Sequence, residues 1–91
     1  MAEVIWTREA LSNLDLIVSY IRQFDPEAAQ RFARALAEAA GSLADFPDRG
    51  RPSGNGTREL PIVPPYVIRY ESNDGTATIL SIRHGRQSSD D

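Results

Sequence analysis

At 91 residues, the chain is long enough for one domain with one small core, and too short for a deep pocket backed by a second lobe. Its 41% hydrophobic and 25% charged fractions are those of a soluble globular domain. No apolar run approaches the ~20 residues of a membrane span, the opening "MAEVIWT" lacks the pattern of a signal peptide, and the absence of cysteine excludes disulfides and thiolate metal sites.

The first element, "EVIWT", is rich in β-branched and aromatic residues and reads as a strand. Thr7 then fits a helix N-cap, with Glu9 favourable to the dipole in the first turn. Leu11, Leu14, Ile17, Val18, Ile21 and Phe24 follow at helical spacing, as one stripe facing a core. "FDPE" punctuates the pattern: Asp25 caps a second helix and Pro26 sits where a first helical residue tolerates proline. Ala29, Phe32, Leu36, Ala39 or Ala40, and Leu43 make the second stripe, and its alanines let the two helices approach as an antiparallel hairpin. Asp45-Phe46-Pro47 ends it. Residues 47–57, "PDRGRPSGNGT", hold two prolines and three glycines and read as a long loop, of a length that points to function or mobility. "RELPIV" and "YVIRYE" read as strands separated by Pro64-Pro65. "NDG" at 73–75 signals a hairpin turn before a last strand, "TATILSIRH".

The order β-α-α-β-β-β predicts an α+β fold, a helical hairpin on one face of a small, mostly antiparallel sheet. We expect one domain over residues 1–87 and a polar, acidic tail over 88–91. Ile68 and Tyr70 alternate with Val67, Arg69 and Glu71, so one sheet face is buried and the other partly charged. Trp6 and Tyr70 are expected in the core, and Tyr66 partly exposed.

The net charge of −3 conceals an asymmetry. Residues 1–48 carry four arginines against eight acids, whereas residues 49–86 carry six arginines (49, 51, 58, 69, 83 and 86) against three acids. An acidic chain is a poor general ligand for nucleic acid, whose phosphates reward cations, so direct DNA binding is not expected. A local basic half is suited to an acidic peptide or to one RNA site, and arginine forks serve carboxylate and phosphate equally.

His84, the sole histidine, ends the last strand in "RHGRQ". With no cysteine and no acids at ligand spacing to it, neither a metal site nor a cofactor is expected. No nucleophile elbow surrounds any serine, and "GRPSGNG" lacks the residues that complete a phosphate loop. His84 is suited to general-base work near neutral pH, with Arg83 or Arg86 stabilising the charge of a phosphoryl transition state. That is metal-free ribonuclease chemistry. The plainer reading is that His84 and Arg86 merely solvate a strand end.

The runs "VIWTREALSNLDLIVSYI", "FPDRGRP", "RELPIVPPYVIRYE" and "ILSIRHGRQ" together resemble the RelE/ParE superfamily of bacterial type II toxins over roughly residues 3–87. Nothing in the sequence argues for secretion, so a cytoplasmic location is expected, and the resemblance implies a toxin neutralised by a cognate antitoxin, ParD-like or RelB-like, in a hetero-oligomer. RelE-like members are ribosome-dependent mRNA endoribonucleases, and ParE-like members poison DNA gyrase by binding it. For the nuclease branch, the resemblance maps Arg58 onto a basic position and Arg86 onto the transition-state arginine. But Leu60 and Val67 stand where that branch carries Lys and Arg, no tyrosine follows Tyr70, and Gly85 follows His84 where a second nuclease subset has Tyr. The ParE-like branch is the better match, so no catalytic residue is expected. Under the ribonuclease alternative the set is Arg58, His84 and Arg86. Arg49, Arg51, Arg58, Arg69, Arg83 and Arg86 are the expected contacts to antitoxin or target.

Overall fold

A computed structural model describes residues 1–85. Two helices, α1 (Arg8–Arg22) and α2 (Pro26–Ser42), follow the strand β1 (Glu3–Trp6). Four strands follow them: β2 (Arg51–Gly54), β3 (Thr57–Pro61), β4 (Tyr66–Asn73) and β5 (Thr76–His84). The sheet order is β1-β5-β4-β3-β2, antiparallel throughout except where β1 joins β5 in parallel. The helical hairpin and mostly antiparallel sheet are the expected architecture. Neither helix is long and apolar enough to cross a membrane.

The helix starts form where their caps dictate. Thr7 is extended and its hydroxyl accepts from the Ala10 amide at 3.1 Å, while Asp25 accepts from the Glu27 and Ala28 amides and Pro26 takes the first helical turn. Thr7 also donates to the Ile79 carbonyl at 2.8 Å. Beyond the end of β1, Asn13 of α1 accepts the Ile82 amide at 3.0 Å. The Ile79 carbonyl also accepts from the Thr7 amide as β1 ends, and Asn13 satisfies the Ile82 amide past the last β1 pair, Trp6 with Ile79. The "NDG" turn is a two-residue hairpin: Asn73 pairs with Thr76, and Asp74 and Gly75 both take positive φ (51° and 78°).

The core lies between the hairpin and one sheet face. Ala10, Phe32, Leu36, Ala40 and Leu43 from the helices meet Leu60, Ile68, Tyr70, Ala77, Ile79 and Ile82 from the strands, with Trp6 partly buried against them. Two members of the expected α1 stripe fall outside it. Leu11 and Phe24 are exposed, and Ala10 occupies the inward position in the first turn. The small side chain there lets the helix start lie close to the sheet.

The segment expected to be one loop, residues 47–57, is instead largely structured. Arg51–Gly54 forms β2, which turns through Gly54, Asn55 and Gly56, all at positive φ, into β3. Its sequence, Arg-Pro-Ser-Gly, is a poor strand former. It is tolerated because β2 lies at the sheet edge, where Pro52 need not donate to a further strand, and because all four residues are exposed.

Candidate functional site

The remainder of the expected loop, residues 47–50, is held by two side chains of the sheet. Tyr70, fully buried, accepts from the Gly50 amide and donates to the Pro47 carbonyl, both at 2.8 Å. Arg58, opposite Tyr70 on β3, donates to the Gly50 carbonyl at 2.6 Å and to the Asp48 carbonyl at 3.3 Å, and its guanidinium lies 3.6 Å from the Asp48 carboxylate. Gly50 must be glycine here: a Cβ would stand 2.8 Å from the Tyr70 ring and 2.9 Å from the Glu59 carbonyl. Arg49 turns the other way and donates to Ser42, whose hydroxyl donates to the Ala39 carbonyl near the end of α2. The loop is thus tied to both layers of the fold.

A second cluster sits at the far end of β5. His84 pairs with Tyr66, and their rings meet edge to face at 5.9 Å. Tyr66 meets Phe32 of α2 in the same way at 5.2 Å. The Gly85 amide donates to the Pro65 carbonyl at 2.6 Å, closing the strand end over the β3–β4 connection. Asn13, Leu16 and Ile17 of α1 complete a hollow of about 200 Å³ beside His84.

The candidate arginines do not share one surface. Arg51 pairs with Glu59, Glu59 with Arg69, and Arg69 with Ser81. That row, with Arg83 two residues further along β5, lies on the sheet face away from the helices. Arg58 projects to the helix side and is half-buried in the loop clamp, its side chain 28% exposed. Arg49 lines a different region, an open groove of about 300 Å³ between α2 and Pro61–Val63. A neighbouring groove of about 450 Å³ runs from Ile21 and Ala28 to Val63, Pro64 and Tyr66. Arg86 lies outside the described residues.

Arg58 and His84, proposed partners under the ribonuclease alternative, are also apart. Arg58 pairs with Tyr70 and His84 with Tyr66, four residues along β4 and on opposite flanks of that strand. At 3.3 Å per residue and 4.8 Å per strand, their backbones are about 16 Å apart.

A family model described as "ParE toxin of type II toxin-antitoxin system, parDE" matches residues 4–89. The chain belongs to the ParE toxin family. It is 55% identical to "Toxin RelE2" of Caulobacter vibrioides over 84 residues, covering 92% of this chain and 96% of that one. It is 41% identical to "Putative toxin Y4kP" of Sinorhizobium fredii over 85 residues, covering 90% and 86%. A solved structure titled "Chromosomal ParDE TA system from P. aeruginosa" has the same fold, with a TM-score of 0.82, 27% identity and coverage of 92% and 96%.

In this ParE-family toxin, the run "FPDRGRP" is therefore a structural device. Asp48, Gly50, Arg58 and Tyr70 lock the α2–β2 connection to the sheet, and the sequence reading missed that role. Its signal in the sequence is a glycine between two arginines, Arg49 and Arg51, upstream of the core tyrosine of β4. The chain is a type II toxin with an antitoxin partner. The names of its relatives are drawn from both branches of the superfamily and do not choose between the two cellular targets.

Proposed function

We propose that this toxin arrests growth by binding DNA gyrase in the cytoplasm, and that a ParD-like or RelB-like antitoxin holds it inactive. The observation that carries this reading is the commitment of Arg58. Its guanidinium is engaged by two backbone carbonyls and a carboxylate, about 16 Å of backbone from the sole histidine. The ribonuclease alternative needs Arg58, as well as His84 and Arg86, around one scissile phosphate, and Arg58 is held elsewhere. The absence of any tyrosine beyond Tyr70 supports the same side. A binding inhibitor needs no such constellation.

The test sets two assays side by side, gyrase supercoiling and ribosome-dependent transcript cleavage, each with purified toxin. We expect loss of supercoiling or accumulation of cleaved DNA complexes, and intact transcripts. Gyrase left untouched at large toxin excess would sink the proposal. The second reading, a ribosome-dependent endoribonuclease, is favoured by the RelE name of the relative at 55% identity. It requires that transcripts be cut on the ribosome and that Arg86→Ala abolish the cutting.

A further inference from the structure

One row of large apolar side chains has no place in the core. Leu16, Tyr20 and Phe24 stand four residues apart along α1 and the turn after it, and they are 66%, 60% and 72% exposed. The rings of Tyr20 and Phe24 meet edge to face at 5.3 Å, which joins them into one surface. Rows of this spacing are the ridges that seat in the groove of a second helix. The α2 side of α1 is a different flank, where Leu14 and Val18 line a hollow with Ala33. Leu16 is also a wall of the hollow beside His84, with Asn13, Ile17 and Tyr66, so the row runs to the lip of that hollow.

At about 200 Å² for a large side chain, the exposed fractions amount to roughly 400 Å², on the scale of the largest apolar patch of a monomer. Two such rows facing each other bury about 800 Å², and the polar groups around them bring the pair to the ~1,000 Å² of a weak specific interface. Charge points to the same occupant. A quarter of the chain is charged, yet the helix neighbours of Tyr20 at three and four residues are Leu16, Ile17, Gln23 and Phe24, none of them charged. A charged partner finds nothing here to complement. A second copy presents an equally uncharged row, and a two-fold axis brings no like charges together across its centre.

We infer that this face pairs two copies of the toxin, α1 against α1, with the two-fold axis at Tyr20. Antiparallel helices then set Tyr20 against its own copy and Leu16 against Phe24 of the partner subunit. Phe24 of the partner subunit, held against Leu16, covers the hollow beside His84, which is closed only in the pair. The inference is independent of the gyrase reading.

The test is sedimentation of the purified full-length toxin from about 1 to 100 μM, the span of a weak interface. We expect the mass to rise with concentration from one chain to two. Tyr20→Glu, at an exposed position, puts two like charges on the axis and should weaken pairing by roughly tenfold or more. Mixing it with Tyr20→Arg should restore a mixed pair, because the axis sets position 20 against itself. Phe46→Glu is the control: it places the same charge at another exposed aromatic, outside α1, and should leave pairing within about twofold of the parent. Thermal melting of each variant checks that it is folded. A parent that stays a single chain throughout, parent-like pairing by folded Tyr20→Glu, or an equal loss in Phe46→Glu overturns the inference. If the parent is a single chain and Tyr20→Glu instead weakens binding to antitoxin or gyrase, the face belongs to that partner and the inference fails.

Discussion

The hydroxyl of Tyr70 is the most consequential single polar group in the fold, and Tyr70→Phe isolates it. The ring keeps its fully buried place, while two backbone groups lose their partner. Gly50 is itself buried, so its amide is stranded at about 1–3 kcal/mol; the Pro47 carbonyl, only partly buried, finds water and adds less than about 1 kcal/mol. We expect a total near 2–3 kcal/mol, a large share of the 5–15 kcal/mol typical of a domain. For fewer than 100 residues that is a fall in Tm of roughly 10–20 °C. Urea denaturation is the assay: the midpoint should fall with the slope unchanged, because the surface exposed on unfolding hardly differs. A loss smaller than about 0.5 kcal/mol, the range of an unremarkable surface change, would show that water reaches Gly50 and that the lock is not structural. Gly50→Ala tests the same contact from the other side. Its Cβ meets the Tyr70 ring at 2.8 Å and the Glu59 carbonyl at 2.9 Å, an overpacking worth about 1–3 kcal/mol. The double variant should cost less than the sum, since either change alone opens the same loop.

Thr7→Ala should destabilise by about 1–2 kcal/mol in the same urea assay, because it removes the α1 cap and the bond to the Ile79 carbonyl together. Arg58→Met should cost about 1 kcal/mol, less than a fully buried charged bond because the side chain is partly solvated. Growth arrest by the folded variant should persist, and its complete loss would place Arg58 in contact with the target. Leu36→Ala, at a position with 0% exposure, should cost about 2–5 kcal/mol, with a calorimetric Tm as the check.

Much of the fold was legible because its signals are local. Thr7, Asp25 and Pro26 announce helix starts through bonds that span two or three residues, and Asp74-Gly75 fixes a two-residue hairpin through positive φ. The inward positions of α2 follow from a period of 3.6, and all are buried as expected. Where locality failed, the reading failed with it. Arg51–Gly54 has no strand propensity and pairs only because β3 offers an edge. Leu11 and Phe24 match the apolar period of α1 yet are exposed, because Ala10 takes the inward position of the first turn and Phe24 lies past the helix end at Arg22. The candidate site was the least legible part. Six arginines close in sequence are the expected contacts to antitoxin or target, and strand alternation sends Arg51, Arg69 and Arg83 to one sheet face and Arg58 to the other, while Arg49 leaves the sheet altogether.

By itself, the sequence determined the helical hairpin, the three main C-terminal strands and the buried face of β4, since each follows from neighbours within a turn or a strand period. Only the tertiary structure decided that β1 runs parallel beside β5, that Tyr70 and Arg58 clamp a loop 8 to 23 residues upstream, and that Arg49 lines a groove beside α2. Those arrangements depend on which distant segments come into contact, and no local pattern of residues encodes a distance across the chain.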